Sequence, residues 1–380
     1  MKGGGLLPDW GRLQNFLAGF LKGKAGPLLY LSVLGVLLGV YALAFILLEG
    51  HGAAAHTTSL APWGVQITTY VYLVLIATGL AFVHFLGEMF LDESYRPMAV
   101  RILFLALFTA LCGMGSLATE LGHVERMFYF FITPNPTSPM WWMAVWYTLE
   151  LVVLALELLY AKLGKHSSAL SWAALVIGLF TVGTLGTLFG SAEARHAYYS
   201  AQLPLYFVVF ALVTGSAVAS LVVLSQIRGQ GSSSVITFLR KLMAASVGIA
   251  LLFAIWRLII GVYGISEGTE AFHATLKSQI LIDILVAGVL PFLMALFWKR
   301  PFGIVLTSLW VLVSQFLVRY GLVASGFVIP VFRAYDIPDV IRYSPSYVEW
   351  FVVAASISLV LFLYLTADRI GYLTSSKKEA

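Results

Sequence analysis

The sequence predicts an all-α polytopic membrane protein with about ten transmembrane helices. Sixty per cent of the 380 residues are hydrophobic and only 11% are charged, whereas soluble proteins carry about 25% charged residues. Mostly apolar stretches of about 18 residues or more, long enough to cross a bilayer as helix, recur along the chain. The ten-residue alternation of a membrane β-barrel is missing, and lipid offers no partner to an open sheet edge. This composition excludes an aqueous enzyme, a nucleic-acid binder and a disulfide-rich secreted protein.

Each predicted span is an apolar stretch bounded by proline, glycine or charged residues. Seven prolines fall at or near predicted helix starts, where they cost no internal hydrogen bond; they are Pro27, Pro62, Pro97, Pro139, Pro204, Pro301 and Pro345. The predicted spans are 27–48, 64–86, 99–121, 140–161, 169–190, 203–226, 238–262, 278–298, 302–326 and 346–367.

Three polar segments lie outside the spans. Residues 1–26 combine apolar residues at helical spacing with basic residues, which predicts an N-terminal interfacial segment, with an unstructured basic tail as the alternative. The Gly/Ser-rich stretch 229–234 is a linker or a plain loop, and residues 368–380 are predicted to be a cytoplasmic tail.

The distribution of lysine and arginine predicts the orientation. Sixteen of the 23 basic residues fall on the side that holds both termini, five fall in the opposite loops, and Arg257 and Arg319 lie within helices. Basic residues accumulate on the cytoplasmic side of spanning helices. We therefore expect a multi-pass protein of the cell (inner, cytoplasmic) membrane with both termini in the cytoplasm.

Cysteine and histidine limit the cofactors that the chain can hold. Cys112 is the single cysteine, so the chain lacks the ligands of an iron–sulfur cluster or a thiolate zinc site. A bilayer haem needs facing imidazoles from spanning helices, and His84 is the one histidine predicted to be embedded. We expect no haem, no Fe–S cluster and no metal in this chain.

Six charged side chains fall where the bilayer disfavours them. Each needs a partner, a water-filled cavity or a function. Glu150 and Glu157 lie two turns apart on one face of the fourth helix, and the other four are expected in the outer half of the membrane. Structural ion pairs and a hydrated proton path both explain the set, which is Glu150, Glu157, Arg257, Asp283, Arg319 and Glu349.

The segment before the fourth helix is rich in aromatic residues and proline. It runs from Glu120 through an aromatic belt to Asn135-Pro-Thr-Ser-Pro-Met-Trp-Trp142. Ser138 is placed to cap the fourth helix, and Pro139 suits its first turn. A stiff interfacial loop explains the aromatic residues and prolines but not their order.

That order resembles a known family signature. Residues 135–142 are similar to the Asn/His-Pro-x-Ser-Pro-hydrophobic-Trp motif of the NrfD-like membrane anchors, typified by the polysulfide reductase membrane subunit. Three further stretches resemble the first core helix, the arginine-containing late helix and the final-helix entry of the ten-helix members. They are Trp63–Tyr70, Arg319–Gly326 and Tyr343–Trp350.

The resemblance implies an architecture of two four-helix bundles with one flanking helix at each end. It divides the chain into a flanking helix, a first bundle with a quinone site, a second bundle and a final helix. These ranges are 27–48, 64–190, 203–326 and 346–367.

The resemblance also implies a site near the outer face of the first bundle. A quinone needs an apolar slot, hydrogen-bonding groups at its carbonyls and a proton path. The implied quinone-bonding or protonating residues are Gln66, Tyr70, Glu120 and His123. The implied pocket and partner loop comprises Tyr129, Asn135, Pro136, Ser138, Pro139, Met140 and Trp141. One departure is that a histidine is expected about where Tyr70 stands.

The implied function is that of a quinone- or quinol-reactive membrane subunit of a respiratory oxidoreductase complex, not catalytic alone. Its substrate is a menaquinone-type or other lipid quinone. An Fe–S subunit and a catalytic subunit of molybdopterin, hydrogenase or alternative complex III type dock on the outer face. Two alternatives stay open, a secondary transporter or proton channel and a pure membrane anchor without an active quinone site.

Overall fold

The computed structural model describes residues 26–91, 94–195, 197–226, 233–263, 277–331, 335 and 337–374. Within them, ten helices are long and apolar enough to cross a membrane, and no strand occurs. The all-α polytopic membrane fold is therefore confirmed. The predicted interfacial segment and most of the Gly/Ser-rich stretch lie outside the described residues.

The long helices are labelled α1 to α10 in chain order. They are α1 Gly26–Glu49, α2 Val65–Leu91, α3 Arg96–Glu120, α4 Pro139–Lys162, α5 Ser168–Gly190, α6 Leu203–Gln226, α7 Ser233–Tyr263, α8 (Lys277–Ile282, Asp283–Val289 and Leu290–Phe297), α9 Pro301–Ser325 and α10 Tyr347–Arg369. Short helical turns His51–Ala54, Val124–Phe128 and Tyr129–Ile132 lie in the connections.

Two helices extend by five residues beyond a predicted bound, whereas the other ends differ by three residues or fewer. α2 continues to Leu91, past the expected end at residue 86; Glu88 of this extension contacts His84 and His166, whereas Met89 and Phe90 are exposed. α7 begins at Ser233, inside the expected linker, because Val235 and Leu239 of its first turns are almost fully buried. Hydropathy alone misses such ends, since polar residues there contact protein and not lipid.

Helix α2 is the centre of the protein. Almost its whole apolar length is buried, whereas most of α1 is exposed. It packs against α3, α5, α6 and α9, while α1 packs mainly against α10. A helix that is apolar on all sides is stable in this position because other helices surround it.

The remaining contacts join the helices in two sets. In the first, α2 packs against α3 and α5, and α4 packs against both of these. In the second, α6 packs against α7 and α9, and α8 packs against both of these. The sets meet mainly where α2 crosses α6. The residue ranges of the two bundles stay a prediction.

Helix α8 contains a π-helical stretch at Asp283–Val289, followed by Pro291 in the next segment. The wider turn places Asp283 at the start of an irregular section between two α-helical segments. Such π-helical turns occur frequently at functional sites because they redirect side chains without ending the helix.

Candidate functional site

The first helix set, α2 to α5, has two ends, and we name each end after one of its residues. The Glu120 end is where α2 begins and α3 ends, and the His84 end is the opposite one.

Glu120 anchors the start of α2. Its Oε1 accepts a hydrogen bond from the Gly64 amide at 3.3 Å, and its Oε2 lies 3.8 Å from His51 Nε2. Neither Glu120 Oε2 nor His51 Nε2 has a hydrogen-bond partner among the described residues. These two atoms are thus available to hydrogen-bond a further group beside the first turn of α2.

Glu349 joins α10 to the same end. It forms a capping box in which Oε2 accepts from the Ser346 amide at 2.8 Å, and the same oxygen accepts from the His56 amide at 3.0 Å. Tyr343 donates to Oε1 at 2.5 Å and accepts from the Val65 amide at 2.8 Å. Burial and the bond to Glu349 raise the pKa of Tyr343, so its phenol stays protonated. Glu349 is therefore a fully bonded structural carboxylate.

Gln66 and Tyr70 lie one turn apart on α2 and are 1% and 4% exposed. The Gln66 side-chain oxygen Oε1 is buried without a hydrogen-bond partner among the described residues. The Tyr70 hydroxyl donates to the Met143 sulfur at 3.6 Å, and its ring centroid lies 6.3 Å from that of Tyr147. A sulfur acceptor is weak. The Tyr70 hydroxyl and the Gln66 side-chain oxygen are therefore both available to hydrogen-bond a polar ligand.

His123 lies away from these residues. Its Nδ1 is 2.9 Å from Glu125 Oε1, and both side chains are mostly exposed. A backbone hydrogen bond and the contact with His123 lower the pKa of the exposed Glu125 carboxyl. The structure therefore brings Glu120 to the start of α2 but does not bring His123 to Gln66 or Tyr70.

The loop that carries the signature is held by its own polar groups. Asn135 Oδ1 accepts from the Thr137 amide at 3.2 Å and from the Thr137 hydroxyl at 2.6 Å. The Trp141 indole donates to the Phe130 carbonyl at 2.8 Å, and the Trp142 indole donates to the Pro136 carbonyl at 2.9 Å. Asparagine and tryptophan of the signature thus fix the loop against α4.

The start of α4 agrees with one expectation and corrects another. Pro139 occupies the first turn, as expected. Ser138 occupies the N-cap position, but its side chain makes no capping hydrogen bond. Its backbone carbonyl accepts from the Trp141 amide at 3.1 Å. The backbone of this loop, and not the serine hydroxyl, starts the helix.

The same loop exposes a group of large apolar side chains, which we call the loop surface. Tyr129 and Met140, both predicted site residues, belong to it. Its members are Val124, Phe128, Tyr129, Phe131, Ile132, Met140 and Trp142.

Two carboxylates lie inside the first helix set. Glu150 is buried next to Thr78 and Thr181, and its Oε1 has no hydrogen-bond partner among the described residues. Glu157 is also buried, and neither of its oxygens is hydrogen-bonded there. His84 Nε2 lies 3.9 Å from Glu157 Oε1. The predicted stripe of two acidic residues therefore faces protein, not lipid.

The second helix set buries Arg319. Its guanidinium carbon lies 3.5 Å from the centre of the Phe210 ring, and Nη2 donates to Gln315 Oε1 at 3.2 Å. Asp283 and Gln315 line one cavity of about 10 Å³. Arg257 Nη2 donates to the Ala197 carbonyl at 3.1 Å. No ion pair within 4 Å forms among the described side chains of Arg257, Asp283, Arg319 and Glu349.

A half-open cavity of about 460 Å³ lies beside the start of α2. Tyr343 connects it with the Glu349 carboxylate and the first amide of α2. The cavity lies on the side of α9, and neither Gln66 nor Tyr70 lines it. Its lining is Ala61, Tyr320, Ala324, Phe327, Val328, Val340, Ile341, Arg342 and Tyr343.

A family model described as polysulphide reductase, NrfD, matches residues 53–331. The chain belongs to the NrfD family. The match covers α2 to α9 and the signature loop, while α1 and α10 lie outside it. The predicted family membership is thereby confirmed.

Two relatives of this NrfD-family protein align over nearly their whole length. One, named as a subunit of selenate reductase, from Mesobacillus selenatarsenatis, is 24% identical over 92% of this chain and 95% of its own. The other, named Hdr-like menaquinol oxidoreductase integral membrane subunit, from Archaeoglobus fulgidus, is 20% identical over 92% of this chain and 95% of its own.

Sequence reasoning missed several polar residues of this NrfD-family protein. His51, in a short helical turn, approaches Glu120, and no local pattern announces that contact. Glu88 lies 3.4 Å from His84 and is absent from the predicted site. The spacing of four residues on one helix is a signal that could have identified the pair.

Proposed function

We propose that this protein is the quinone- or quinol-reactive membrane subunit of a respiratory oxidoreductase complex. The observation that supports this most directly is the near-full-length similarity to a relative named as a menaquinol oxidoreductase integral membrane subunit. Membership of the NrfD family over residues 53–331 agrees with it. The chain supplies the quinone site, and partner subunits supply the redox centres.

The buried polar groups of α2 fit a quinol substrate. The Gln66 side-chain oxygen lacks a donor among the described residues, and a buried acceptor without a partner costs about 1–3 kcal/mol. A quinol hydroxyl would satisfy it, while Tyr70 could donate to a carbonyl after leaving the Met143 sulfur. Glu120 and His51, at the first turn of α2, would exchange the protons with water.

A second location for the ring is the cavity beside Tyr343. Its volume of about 460 Å³ falls within the range of about 300–1,000 Å³ that is usual for ligand pockets. Its lining is mainly apolar, as a quinone ring requires. The Gln66 location is favoured because it offers an unpaired acceptor, whereas the Tyr343 hydroxyl is already bonded to Glu349.

The electrons require a partner. Iron–sulfur clusters are usually held by four cysteine thiolates, and the chain has one cysteine. We propose that an Fe–S subunit docks on the loop surface, close to the start of α2, and connects to a catalytic subunit. The loop surface is exposed and aromatic, which is typical of protein interfaces.

The experiment compares quinol oxidation by the purified complex with variants at each location. Gln66→Leu removes the acceptor and is expected to lower turnover by about tenfold or more, the equivalent of one lost hydrogen bond of about 1.4 kcal/mol. Ala324→Phe, which fills the cavity, should leave turnover near wild type. The matched control is Gln226→Leu, which makes the same change at the last residue of α6, away from Gln66.

Three results would contradict parts of this proposal. Unchanged turnover in Gln66→Leu excludes the α2 location. Loss of turnover in Ala324→Phe alone moves the ring to the cavity beside Tyr343. Wild-type turnover in both variants excludes a quinone at either place.

A pure membrane anchor is the second candidate function. It is favoured by the close packing of Gln66 and Tyr70, which are 1% and 4% exposed. An anchor would hold its partner on the loop surface and bind no quinone. Retention of the partner together with no quinol-dependent reduction of its clusters would support the anchor over the quinone subunit.

A further inference from the structure

Four titratable side chains follow one another at the His84 end, with facing atoms 3.0 to 3.9 Å apart. His166 Nδ1 lies 3.0 Å from Glu88 Oε1, and Glu88 Oε1 lies 3.4 Å from His84 Nε2. The same His84 nitrogen lies 3.9 Å from Glu157 Oε1. Two helices and one loop contribute: His84 and Glu88 belong to α2, Glu157 belongs to α4, and His166 lies in the loop before α5.

Exposure falls along this series. The His166 side chain is 45% exposed, Glu88 is 20% exposed, and His84 and Glu157 are each 3% exposed. The series therefore starts at the surface and ends inside the helix set.

Neighbouring groups hold the series in place. The Ser171 hydroxyl donates to Glu88 Oε2 at 2.6 Å, and Ser168 Oγ lies 3.2 Å from His166 Nε2. These contacts leave Glu88 Oε1 facing both histidines. The Glu88 carboxylate therefore lies within 3.4 Å of a nitrogen of each imidazole.

Tyr95 determines which nitrogen of His84 can accept a proton. Its hydroxyl lies 3.3 Å from His84 Nδ1, and burial together with the Glu88 and Glu157 carboxylates raises its pKa well above the ordinary value. The neutral phenol oxygen can accept a hydrogen bond from Nδ1–H. Nε2, which faces Glu88 and Glu157, then carries the free lone pair.

Glu157 lies beside Ser171, but the Ser171 hydroxyl donates to Glu88 and not to Glu157. Neither of its oxygens is hydrogen-bonded within the described residues, and the same holds for Oε1 of Glu150. The two residues are seven positions apart on α4, a rise of about 10 Å. That distance is longer than one direct proton transfer, so Glu157 is the last member of the series.

We propose that His166, Glu88 and His84 form a proton entry path that delivers protons from the surface at the His84 end to Glu157. In each step a proton leaves a nitrogen or oxygen of one group and binds the facing atom of the next. His166 passes it to Glu88 Oε1, Glu88 to His84 Nε2, and His84 to Glu157 Oε1, while water reprotonates His166. This path rests on the proposed quinone function in one respect only: the quinone reaction would use the protons that the path delivers.

The test is hydrogen–deuterium exchange of the buried carboxyl group, followed by infrared spectroscopy of the purified protein in lipid nanodiscs. The carboxyl band that disappears in Glu157→Gln identifies Glu157. After transfer to deuterated buffer, Glu88→Gln should slow the shift of that band on the order of 10²-fold, as loss of a proton-transfer group does. Glu88→Asp, which keeps a carboxyl, should retain most of the rate.

Controls separate the path from a general change of structure. His166→Gln alters an exposed side chain and should also slow the exchange, which preserves the test if Glu88→Gln fails to fold. Glu125→Gln, which changes an exposed carboxylate at the Glu120 end, should exchange at the wild-type rate. A wild-type rate in Glu88→Gln and His166→Gln, or no band removed by Glu157→Gln, would overturn the path.

The exchange measurement is made without quinone. Failure of the proton path can therefore be distinguished from failure of the quinone site on α2. Slow exchange in Glu88→Gln together with unchanged quinol turnover in Gln66→Leu would retain the path and reject the quinone site on α2. Wild-type exchange together with loss of turnover in Gln66→Leu would do the reverse.

Discussion

Gly79 of α2 and Gly215 of α6 lie in direct contact where the two helices cross. A Cβ atom added to Gly79 would overlap the Ala211 carbonyl and lie 3.0 Å from the Gly215 Cα, and one added to Gly215 would overlap the Gly79 backbone. Small residues allow helix backbones to approach closely in a membrane, where packing and not hydrophobic burial drives association. This crossing joins the helix set that holds Gln66 to the set that holds Arg319.

Replacing Gly79 with alanine should therefore destabilise the protein. The obstructing atoms are backbone, so the helices must separate, and overpacking of this kind costs about 1–3 kcal/mol. The measurement is the free energy of unfolding in mixed micelles. Gly183→Ala on α5 is the control because its added Cβ meets no atom within 4 Å. A Gly79→Ala protein as stable as the Gly183→Ala protein would contradict the close crossing.

The sequence predicts the helices well because the bilayer imposes a simple rule. All ten spans are recovered because about 20 apolar residues are needed to cross, whatever surrounds them. The end of α2 is missed because Glu88 makes it polar, although His84 and His166 contact this carboxylate. A hydropathy pattern reports the mean environment and not the partner of one side chain.

The candidate site is predicted less completely, because its contacts join distant parts of the chain. Glu349 is predicted as an ion-pair or proton-path residue, yet its partners are the Tyr343 hydroxyl and the amides of His56 and Ser346. The capping box itself is a local pattern, and Ser346 three residues before Glu349 could have been recognised. His123 is expected near Gln66, but the local contact with Glu125 holds it at the surface.

The loop surface gives a prediction about partner binding. Ile132 is 70% exposed on it, and an aspartate there would place a charge within an apolar interface. Ile132→Asp is expected to weaken retention of the Fe–S subunit by about tenfold or more, since interface anchors contribute about 2 kcal/mol or more. Quantitative co-purification from detergent extracts measures the effect.

The matched control is Ile370→Asp, which alters an equally apolar side chain, 57% exposed, at the His84 end. It should retain the partner at the wild-type level. Equal loss in both variants would indicate that either charge disturbs membrane insertion, and unchanged retention in Ile132→Asp would reject docking on the loop surface.

Arg319 and the aromatic residues of α6 give a prediction about stability. The guanidinium carbon lies 3.5 Å from the Phe210 ring centre but 5.7 Å from that of Phe207. Both rings are buried, so replacing either with leucine removes the same volume and should have a similar packing cost. A desolvated cation–π contact is worth about 2 kcal/mol. Phe210→Leu should therefore destabilise the protein more than Phe207→Leu.

A double-mutant cycle with Arg319→Met isolates this interaction. In the Arg319→Met protein, Phe210→Leu and Phe207→Leu should lower the free energy of unfolding by similar amounts, because the cation is absent from both. The coupling energy between Arg319 and Phe210 should be about 1–2 kcal/mol, within the usual range for groups in contact. A coupling near zero would show that Arg319 is held mainly by its bond to Gln315, and Gln315→Leu would then be the more destabilising change.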